Sequence, residues 1–361
     1  MAETLYRKYR PARFKDIRGQ EHVTRTLRGA LMLDRVAHAY LFAGPRGTGK
    51  TTIARIFAKA LNCENLKEGE PCDKCSTCQA INESRSVDII EIDGASNRGI
   101  DEIRNIKEIA RVASSQNRFK VFIIDEVHSL TKDAFNALLK TLEEPPAHVK
   151  FILATTEPHK LLPTVLSRVQ RFDFKKLSLA EIIDKLKHIV RSEKISAETD
   201  IFHIIATNAE GSLRDAESSL AKLISVSGTA ITLDQAKDIL GFIPTDQYAK
   251  ALDLILAKDQ SGGIKMINDL YVSGVDLSLF TDGLINFSRK IIIAKAVDSP
   301  KESLGDEFLD DHLQYVEKIA NTVESADLIK IINRLIQVRH DLKTSPIPQL
   351  PLELAIMDLA I

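Results

Sequence analysis

The chain has 361 residues, 44% of them hydrophobic and 27% charged, with a formal net charge of −1. That length predicts two or three domains of an ordinary soluble protein. It contains no apolar run long enough to span a membrane, and "MAETLYRKYRPARF" at the N-terminus lacks the apolar core of a secretion signal, so a cytoplasmic protein with no membrane partner is expected. The near-neutral whole gives no general attraction for nucleic acid, so any DNA contact must come from a local basic patch.

In chain order, "AYLFAG" reads as a strand, and "TTIARIFAKAL" as a helix with Ala54, Phe57, Ala58 and Leu61 on one face. All four cysteines follow within "CENLKEGEPCDKCSTC", spaced C-x8-C-x2-C-x2-C; in a cytoplasmic protein such a cluster indicates a metal more often than disulfides. "VDIIEID" is a second strand, "IDEIRNIKEIARVA" a helix, and "KVFIIDE" an unalternating strand of the kind buried on both faces of a parallel sheet. "DAFNALLKTLEE" is helical up to Pro145-Pro146, and "KFILATT" is another buried strand. This alternation predicts an α/β domain with a parallel sheet.

After "RFDFKKL" the strand signals nearly vanish. Ser178-x-x-Glu181 and Thr232-x-x-Gln235 are capping-box patterns that open helices, and longer amphipathic helices such as "SADLIKIINRLIQVRHDLK" follow "GFIPTD". The expected organisation is an α/β core over 1–177 with the cysteine module at 63–78, a small helical domain over 178–242, and an all-α domain over 243–361.

"GPRGTGKT", Gly44 to Thr51, is G-x-x-x-x-G-K-T between strand and helix. Its glycines let backbone N–H groups curl around phosphate oxygens at a helix N-terminus. Gly44, Pro45, Gly47, Thr48, Gly49, Lys50, Thr51 and Thr52 are therefore candidate nucleotide contacts. Lys50 suits the β- and γ-phosphates, and the Thr51 hydroxyl suits Mg²⁺. Asp125, at a buried strand's carboxyl end, is a second Mg²⁺ ligand candidate, and Glu126 beside it can polarise an attacking water. Nucleotide hydrolysis is the chemistry these residues indicate. A Thr155-Thr156 hydroxyl at a strand end suits orienting the water or touching the γ-phosphate, although lone threonines there are usually structural. Arg168 in "LSRV", after a short helix, and Arg214 in "GSLRDA", early in a helix, read on their own as solvated side chains.

The phosphate loop, "DEVH", "FNALLKTLEEPP", "FILATTEP", "LSRV" and "GSLRDA", in this order, resemble the clamp-loader ATPases, the gamma/tau family of bacterial DNA polymerase III subunits within the AAA+ ATPases. The resemblance is strong to about residue 242 and rests on pattern alone beyond it. It implies an AAA+ core with an inserted zinc module, a helical lid and a C-terminal collar. It also implies ATP and Mg²⁺ as cofactors and hydrolysis coupled to opening a sliding clamp and loading it on primed template DNA. By the same resemblance Thr156 is the γ-phosphate sensor, Arg214 a second sensor from the lid, and Arg168 an arginine finger for a neighbouring subunit. Val169 stands where the family commonly has Cys, with the arginine kept. "YRKYRPARF" and "GQEHV" resemble the segment around adenine and ribose, making Tyr6, Arg10 and Pro11 candidates. Partner subunits would join through 243–361, in a hetero- or homo-oligomer that is pentameric in the family.

The family carries its zinc module just after the phosphate-loop helix, where Cys63, Cys72, Cys75 and Cys78 fall. Two C-x2-C steps also suit a closed, structural tetrahedral site on spacing alone. An iron–sulfur cluster is the rival, but the ferredoxin run expects a further Cys-Pro where Gln79-Ala80-Ile81-Asn82 stand. Ser96, Asn97, Arg98 and Gly99 at a helix start are candidate phosphate contacts for DNA, against an equally plausible solvated turn. Alternatives to the clamp-loading motor are another AAA+ DNA motor and a non-hydrolysing scaffold subunit.

Overall fold

Non-alternating apolar runs become the centre of a parallel sheet. The computed structural model describes residues 4–83, 85–115, 117–228, 230–297 and 310–359. The chain forms two units, Met1–Thr229 and Ala230–Ile361. In the first, β1 (Ala39–Ala43), β2 (Ile89–Asp93), β3 (Lys120–Asp125), β4 (Val149–Thr155) and β5 (Gln170–Asp173) lie in the order β2-β3-β4-β1-β5, all pairs parallel. Every residue of β1 and β4 is buried. The edge strand β2 is only partly covered, so Glu91 reaches outward to pair with Arg55 at 2.5 Å.

Helices cover both faces. On one, α2 (Glu21–Met32) and α3 (Lys50–Leu61) contribute Val23, Leu27, Ile53 and Phe57, whose ring meets Tyr40 edge-on at 4.8 Å. On the other, α5 (Ile100–Arg111) and α6 (Lys132–Glu143) pack Ile103, Ile106, Phe135 and Leu138 on Phe122 and Phe151. One expectation changes. The periodicity of α3 gives it a single buried face, yet Ile53, Ile56, Lys59 and Ala60 are buried as well. The sheet and α2 cover α3 together with α4 (Ser76–Asn82) of the cysteine segment, so it is enclosed on nearly all sides.

The lid consists of α8 (Leu179–Ser192), α9 (Thr199–Asn208) and α10 (Leu213–Ser227), and a short N-terminal α1 (Leu5–Lys8) packs on α10. Both predicted capping boxes form. Ser178 Oγ accepts from the Glu181 N–H and the Glu181 carboxylate accepts from the Ser178 N–H, and Thr232 and Gln235 do the same. Between β4 and the lid stands α7 (Pro163–Leu166).

The second unit is helical: α11 (Leu233–Leu240), α12 (Thr245–Leu256), α13 (Gln260–Val272), α14 (Leu277–Ala296), α15 (Asp310–Thr322), α16 (Ser325–Asp341) and α17 (Leu350–Leu359). Its core is built from Leu252, Phe280, Ile291, Leu328, Leu335 and Leu352. Among the described residues, no helix is long and apolar enough to cross a membrane.

Candidate nucleotide site and cysteine cluster

The strand β1 delivers the chain into the phosphate loop, and Gly49 in the left-handed region (φ 97°) turns it into α3. The first N–H groups of α3 have no intrahelical acceptor, and Gly49 has no side chain to cap them, so they form a cradle for an anion. Lys50 is 7% exposed and folds back, donating to Gly44 O at 2.7 Å and Pro45 O at 2.8 Å. Burial pushes its ammonium below the usual lysine range, while Glu126 and Asp125 pull it back up. Thr48 Oγ1 donates to Pro45 O at 2.9 Å and steadies the loop.

The two halves of the site meet at Thr51, whose hydroxyl donates to Asp125 Oδ2 at 2.6 Å. Glu126 takes a left-handed backbone (φ 46°) with its N–H donating to Asp125 Oδ1 at 2.9 Å. A non-glycine residue there stores strain, of order 1–3 kcal/mol. Gly94 makes room for this turn: a Cβ on it would lie 2.9 Å from the carbonyl oxygens of Asp125 and Glu126. Thr156 Oγ1 donates to Glu126 Oε2 at 3.2 Å. The preceding Thr155 is buried and serves His128, whose Nδ1 lies 2.9 Å from Thr155 Oγ1 and 3.4 Å from Glu126 Oε2. The sequence reading gave His128 no role, although "DEVH" contains it; its Nε2 also meets Glu157 Oε2 at 3.0 Å.

The lid sits on the loop. The Leu213 N–H donates to Gly47 O at 3.1 Å, and a Cβ on Gly47 would overlap the Ser212 hydroxyl. Only glycine permits that approach. Arg214 then projects over the Tyr6 ring, 5.2 Å from its centroid. Tyr6, Arg10, Pro11, Lys50, Thr51, Thr52, Asp125, Glu126 and Arg214 all border one cleft with Gly47, Thr48 and Gly49. Glu217, one turn beyond Arg214, borders it too, and only 6% of it is exposed. Burial pushes the Glu217 carboxyl up to about 7, against the pull of Lys185 and Arg10. Sequence reading missed this residue, because a glutamate on an amphipathic helix resembles a solvated one.

Arg168 stands apart from that lining. Its Nη2 pairs with Glu143 Oε1 at 2.7 Å and its Nη1 donates to Thr164 O at 2.7 Å. At the DNA candidates, the Asp93 carboxylate accepts from Ala95 N and Ser96 Oγ at 2.9 and 2.6 Å, and Asn97 Nδ2 donates to Asp93 O at 3.0 Å. Arg98 Nε donates to Ala95 O at 2.7 Å. Gly99 caps α5, whose first turn carries Asp101 and Glu102.

The four cysteines converge: their sulfurs all lie within 4.8 Å of one another. Cys72 and Cys78 sulfurs are 3.9 Å apart, and Cys75 caps α4 by accepting the Cys78 N–H at 3.5 Å. Burial raises the Cys72 thiol, but N–H groups of Lys74 and Cys75 and the Cys63 and Cys75 thiols outweigh it and bring it down to about 6. Burial pushes the Cys63 and Cys78 thiols up.

A lid helix that starts against the phosphate loop, over a parallel sheet ordered with the loop strand between β4 and β5, is the AAA+ arrangement. Comparison with known proteins narrows this. The family described as "DNA polymerase III, delta subunit" matches residues 19–178, "DNA polymerase III clamp loader subunit, ATPase lid domain" matches 181–227, and "DNA polymerase III subunits gamma and tau domain III" matches 231–361. DNA polymerase III subunit gamma of Buchnera aphidicola (from Acyrthosiphon pisum) is 35% identical over 355 residues, 98% of each chain. Subunit tau of Bacillus subtilis is 41% identical and that of Escherichia coli 38%, each over 98% of this chain. This chain spans 62% and 55% of those two tau proteins. It belongs to the DNA polymerase III gamma/tau family.

Proposed function

We propose that this chain is the ATP-hydrolysing motor subunit of the bacterial replicative clamp loader, working in the cytoplasm to open a sliding clamp and load it on primed template DNA. The observation that carries the reading is the 2.6 Å Thr51–Asp125 bond, with Glu126 adjacent and tied to Thr156. A scaffold subunit that only binds nucleotide has no need for a complete set of Lys50, Thr51, Asp125 and Glu126.

ATP would lie along the loop, with Lys50 released from Gly44 and Pro45 to the phosphates. Mg²⁺ would be held by Thr51 and Asp125 and would neutralise charge between the β- and γ-phosphates. Glu126 orients and polarises the attacking water, and Thr156 holds the Glu126 carboxylate until phosphate competes for its hydroxyl. Arg214 reaches the phosphates from the lid of the same subunit, and Tyr6, Arg10 and Pro11 border the base and ribose. Arg168 serves the neighbouring subunit's site. The working divisions are an ATPase core over 1–177, a lid over 178–242 and an oligomerising collar over 243–361. Ile329 and Ile336, seven residues apart on α16 and 50% and 51% exposed, suit a subunit contact in a pentamer. Phosphate contacts near Arg98 would make DNA binding structure-specific and not base-specific.

Zinc suits the four cysteines. A Zn–S distance of about 2.3 Å in a tetrahedron sets sulfurs about 3.8 Å apart, and four thiolates leave no open position. The site is structural: it closes a polar segment that has almost no apolar core of its own.

The deciding experiment is the ATPase rate of the assembled chain with partner subunits, with and without sliding clamp and primed DNA. Stimulation by both together supports clamp loading. An ATPase indifferent to clamp and DNA overturns it in favour of another AAA+ motor, and no hydrolysis in the full assembly favours the scaffold.

A further inference from the structure

Lys59 is an anomaly in the phosphate-loop helix. It stands in the apolar run "IARIFAKAL", and it is 2% exposed. Burying an ammonium costs several kcal/mol unless partners compensate, and an apolar residue of similar size would commonly serve stability as well. Its partners are Asp73 in the cysteine module and Asn82 at the end of α4, the helix that continues from it. Lys59 Nζ bonds Asp73 Oδ1 in a short contact and donates to Asn82 Oδ1 at 2.8 Å. Asn82 Nδ2 closes the triangle by donating to Asp73 Oδ1 at 2.8 Å. Asp73 sits between Cys72 and Cys75 in a left-handed turn (φ 62°), so the fold of the cysteine loop sets the position of its carboxylate. Lys59, Ile81 and Asn82 also border the nucleotide cleft.

A second set of bonds ties the module to the N-terminal segment and to α2. The Glu70 carboxylate accepts from the N–H groups of Phe14 and Lys15, both at 3.0 Å. Arg13 Nη2 donates to Cys72 O at 3.0 Å, and Arg28 donates to Glu68 O at 3.1 and 3.0 Å through Nε and Nη2. Residues on either side of the anchored Arg13, Phe14 and Lys15, namely Arg10 to Ala12 and Asp16 to Arg18, border the cleft.

We infer that the cysteine module, with α4, is a brace between the phosphate-loop helix and the N-terminal segment, which both contribute residues to the nucleotide cleft, with Lys59, Asp73 and Asn82 as its joint, so that metal occupancy of the module sets nucleotide affinity. The inference rests on the proposed nucleotide and zinc readings. Lys59 lies nine residues beyond Lys50 on one helix, about 14 Å at 1.5 Å per residue, so a displacement at Lys59 is carried to the loop by a rigid element. Without metal, the cysteine loop no longer fixes Asp73, Lys59 is left buried and unpaired, and α3 shifts or frays to solvate it. Lys59, Asp73 and Asn82 are positioning residues and do not touch the reacting atoms.

The test uses the full chain, a fluorescent ATP analogue for Kd, a metallochromic dye for zinc release by chelator and thiol reagent, and hydrogen exchange over residues 50–61. In the wild type, stripping zinc should weaken analogue binding about tenfold and raise exchange in α3. Lys59→Met should retain zinc, bind the analogue about three- to tenfold more weakly, and lose less than a further twofold on stripping. Should stripping unfold the chain, Asn82→Ala at full zinc occupancy reads the joint directly, with three- to tenfold weaker binding expected. Wild-type affinity unchanged after complete zinc release, or variants at full zinc with wild-type affinity, overturns the brace while leaving both underlying readings intact. A purified chain that holds no zinc overturns the metal reading and the brace together, and one that holds zinc but binds no analogue overturns the nucleotide reading and the brace with it.

Discussion

The Thr51 hydroxyl and the Asp125 carboxylate, 74 positions apart in the chain, meet at 2.6 Å and join the phosphate-loop helix to the end of β3. A hydrogen bond to a charged acceptor contributes roughly 1.5–3 kcal/mol, and here it joins the two residues proposed to hold Mg²⁺. Thr51→Val should lower the melting temperature of the nucleotide-free chain by a few degrees and abolish most of the Mg²⁺ dependence of ATP binding. Differential scanning fluorimetry and ATP titrations with and without Mg²⁺ measure both. Val conserves the β-branched shape, so a loss of stability reports the hydroxyl.

Lys50 and Glu126 should separate binding from turnover. Lys50→Ala removes the proposed phosphate contact and should weaken ATP binding itself by roughly tenfold or more. Glu126→Gln keeps shape but loses the carboxylate, so binding should persist while turnover falls roughly 10²-fold or more. Normal hydrolysis by Glu126→Gln in the assembled complex would remove Glu126 from the water-activating role.

Metal analysis of the purified chain should give close to one zinc per chain. Iron with visible charge-transfer bands, or four thiols that titrate freely with no metal released, would falsify the zinc assignment. Cys75→Ser should loosen residues 63–83 locally, seen as faster hydrogen exchange there, with exchange in α12 to α17 unchanged.

Much of this was legible in the sequence because the signals are local. β1, β3 and β4 are apolar runs bounded by turns, and Ser178-Glu181 and Thr232-Gln235 need only three-residue spacing to be read as caps. The phosphate loop and the cysteine spacing carry their own chemistry. What stayed hidden depends on contacts between distant segments. Lys59 and Glu217 look like the polar faces of amphipathic helices until the cysteine module and the lid bury them. His128 needed Thr155 of β4 to reveal why it faces Glu126. The enclosure of α3 likewise follows from an insertion folding back on it, which no periodicity within α3 records.

Glu217 gives the chain a pH dependence whose sign can be worked out. Its ordinary value of 4.5 applies to the unfolded chain, and burial raises it to about 7 in the fold, beside Lys185 and Arg10. Between these values the native state holds the extra proton, so stability falls as pH rises from about 4.5 to about 7. The gap corresponds to ~3 kcal/mol at most. Glu217→Gln removes this dependence. It should match the wild type near pH 4.5 and be more stable by ~1–3 kcal/mol at pH 8. Urea unfolding at both values checks it, and a variant destabilised at pH 8 would show that the carboxylate is held by a favourable contact instead.

Arg168 makes the most demanding prediction, because it derives assembly from one side chain. Its guanidinium is held by Glu143 and Thr164 and does not border its own cleft. A planar, permanently charged fork acts most strongly where charge shifts in the transition state, and a finger supplied in trans can contribute 10³–10⁵ in rate. The isolated chain should therefore bind ATP but hydrolyse it slowly, and oligomerisation should raise turnover. Arg168→Ala should leave the nucleotide affinity of its own site nearly intact, whereas Arg214→Ala should disturb the site of the subunit that carries it. Glu143→Ala, which frees Arg168 without removing it, should change turnover far less than Arg168→Ala. Mixing decides the direction of action. Arg168→Ala chains keep their own Glu126, and Glu126→Gln chains keep a finger to lend, so mixed oligomers should recover part of the ATPase that each variant lacks alone. If oligomers shown to contain both chains recover nothing, Arg168 serves its own site, and the interface model must be abandoned.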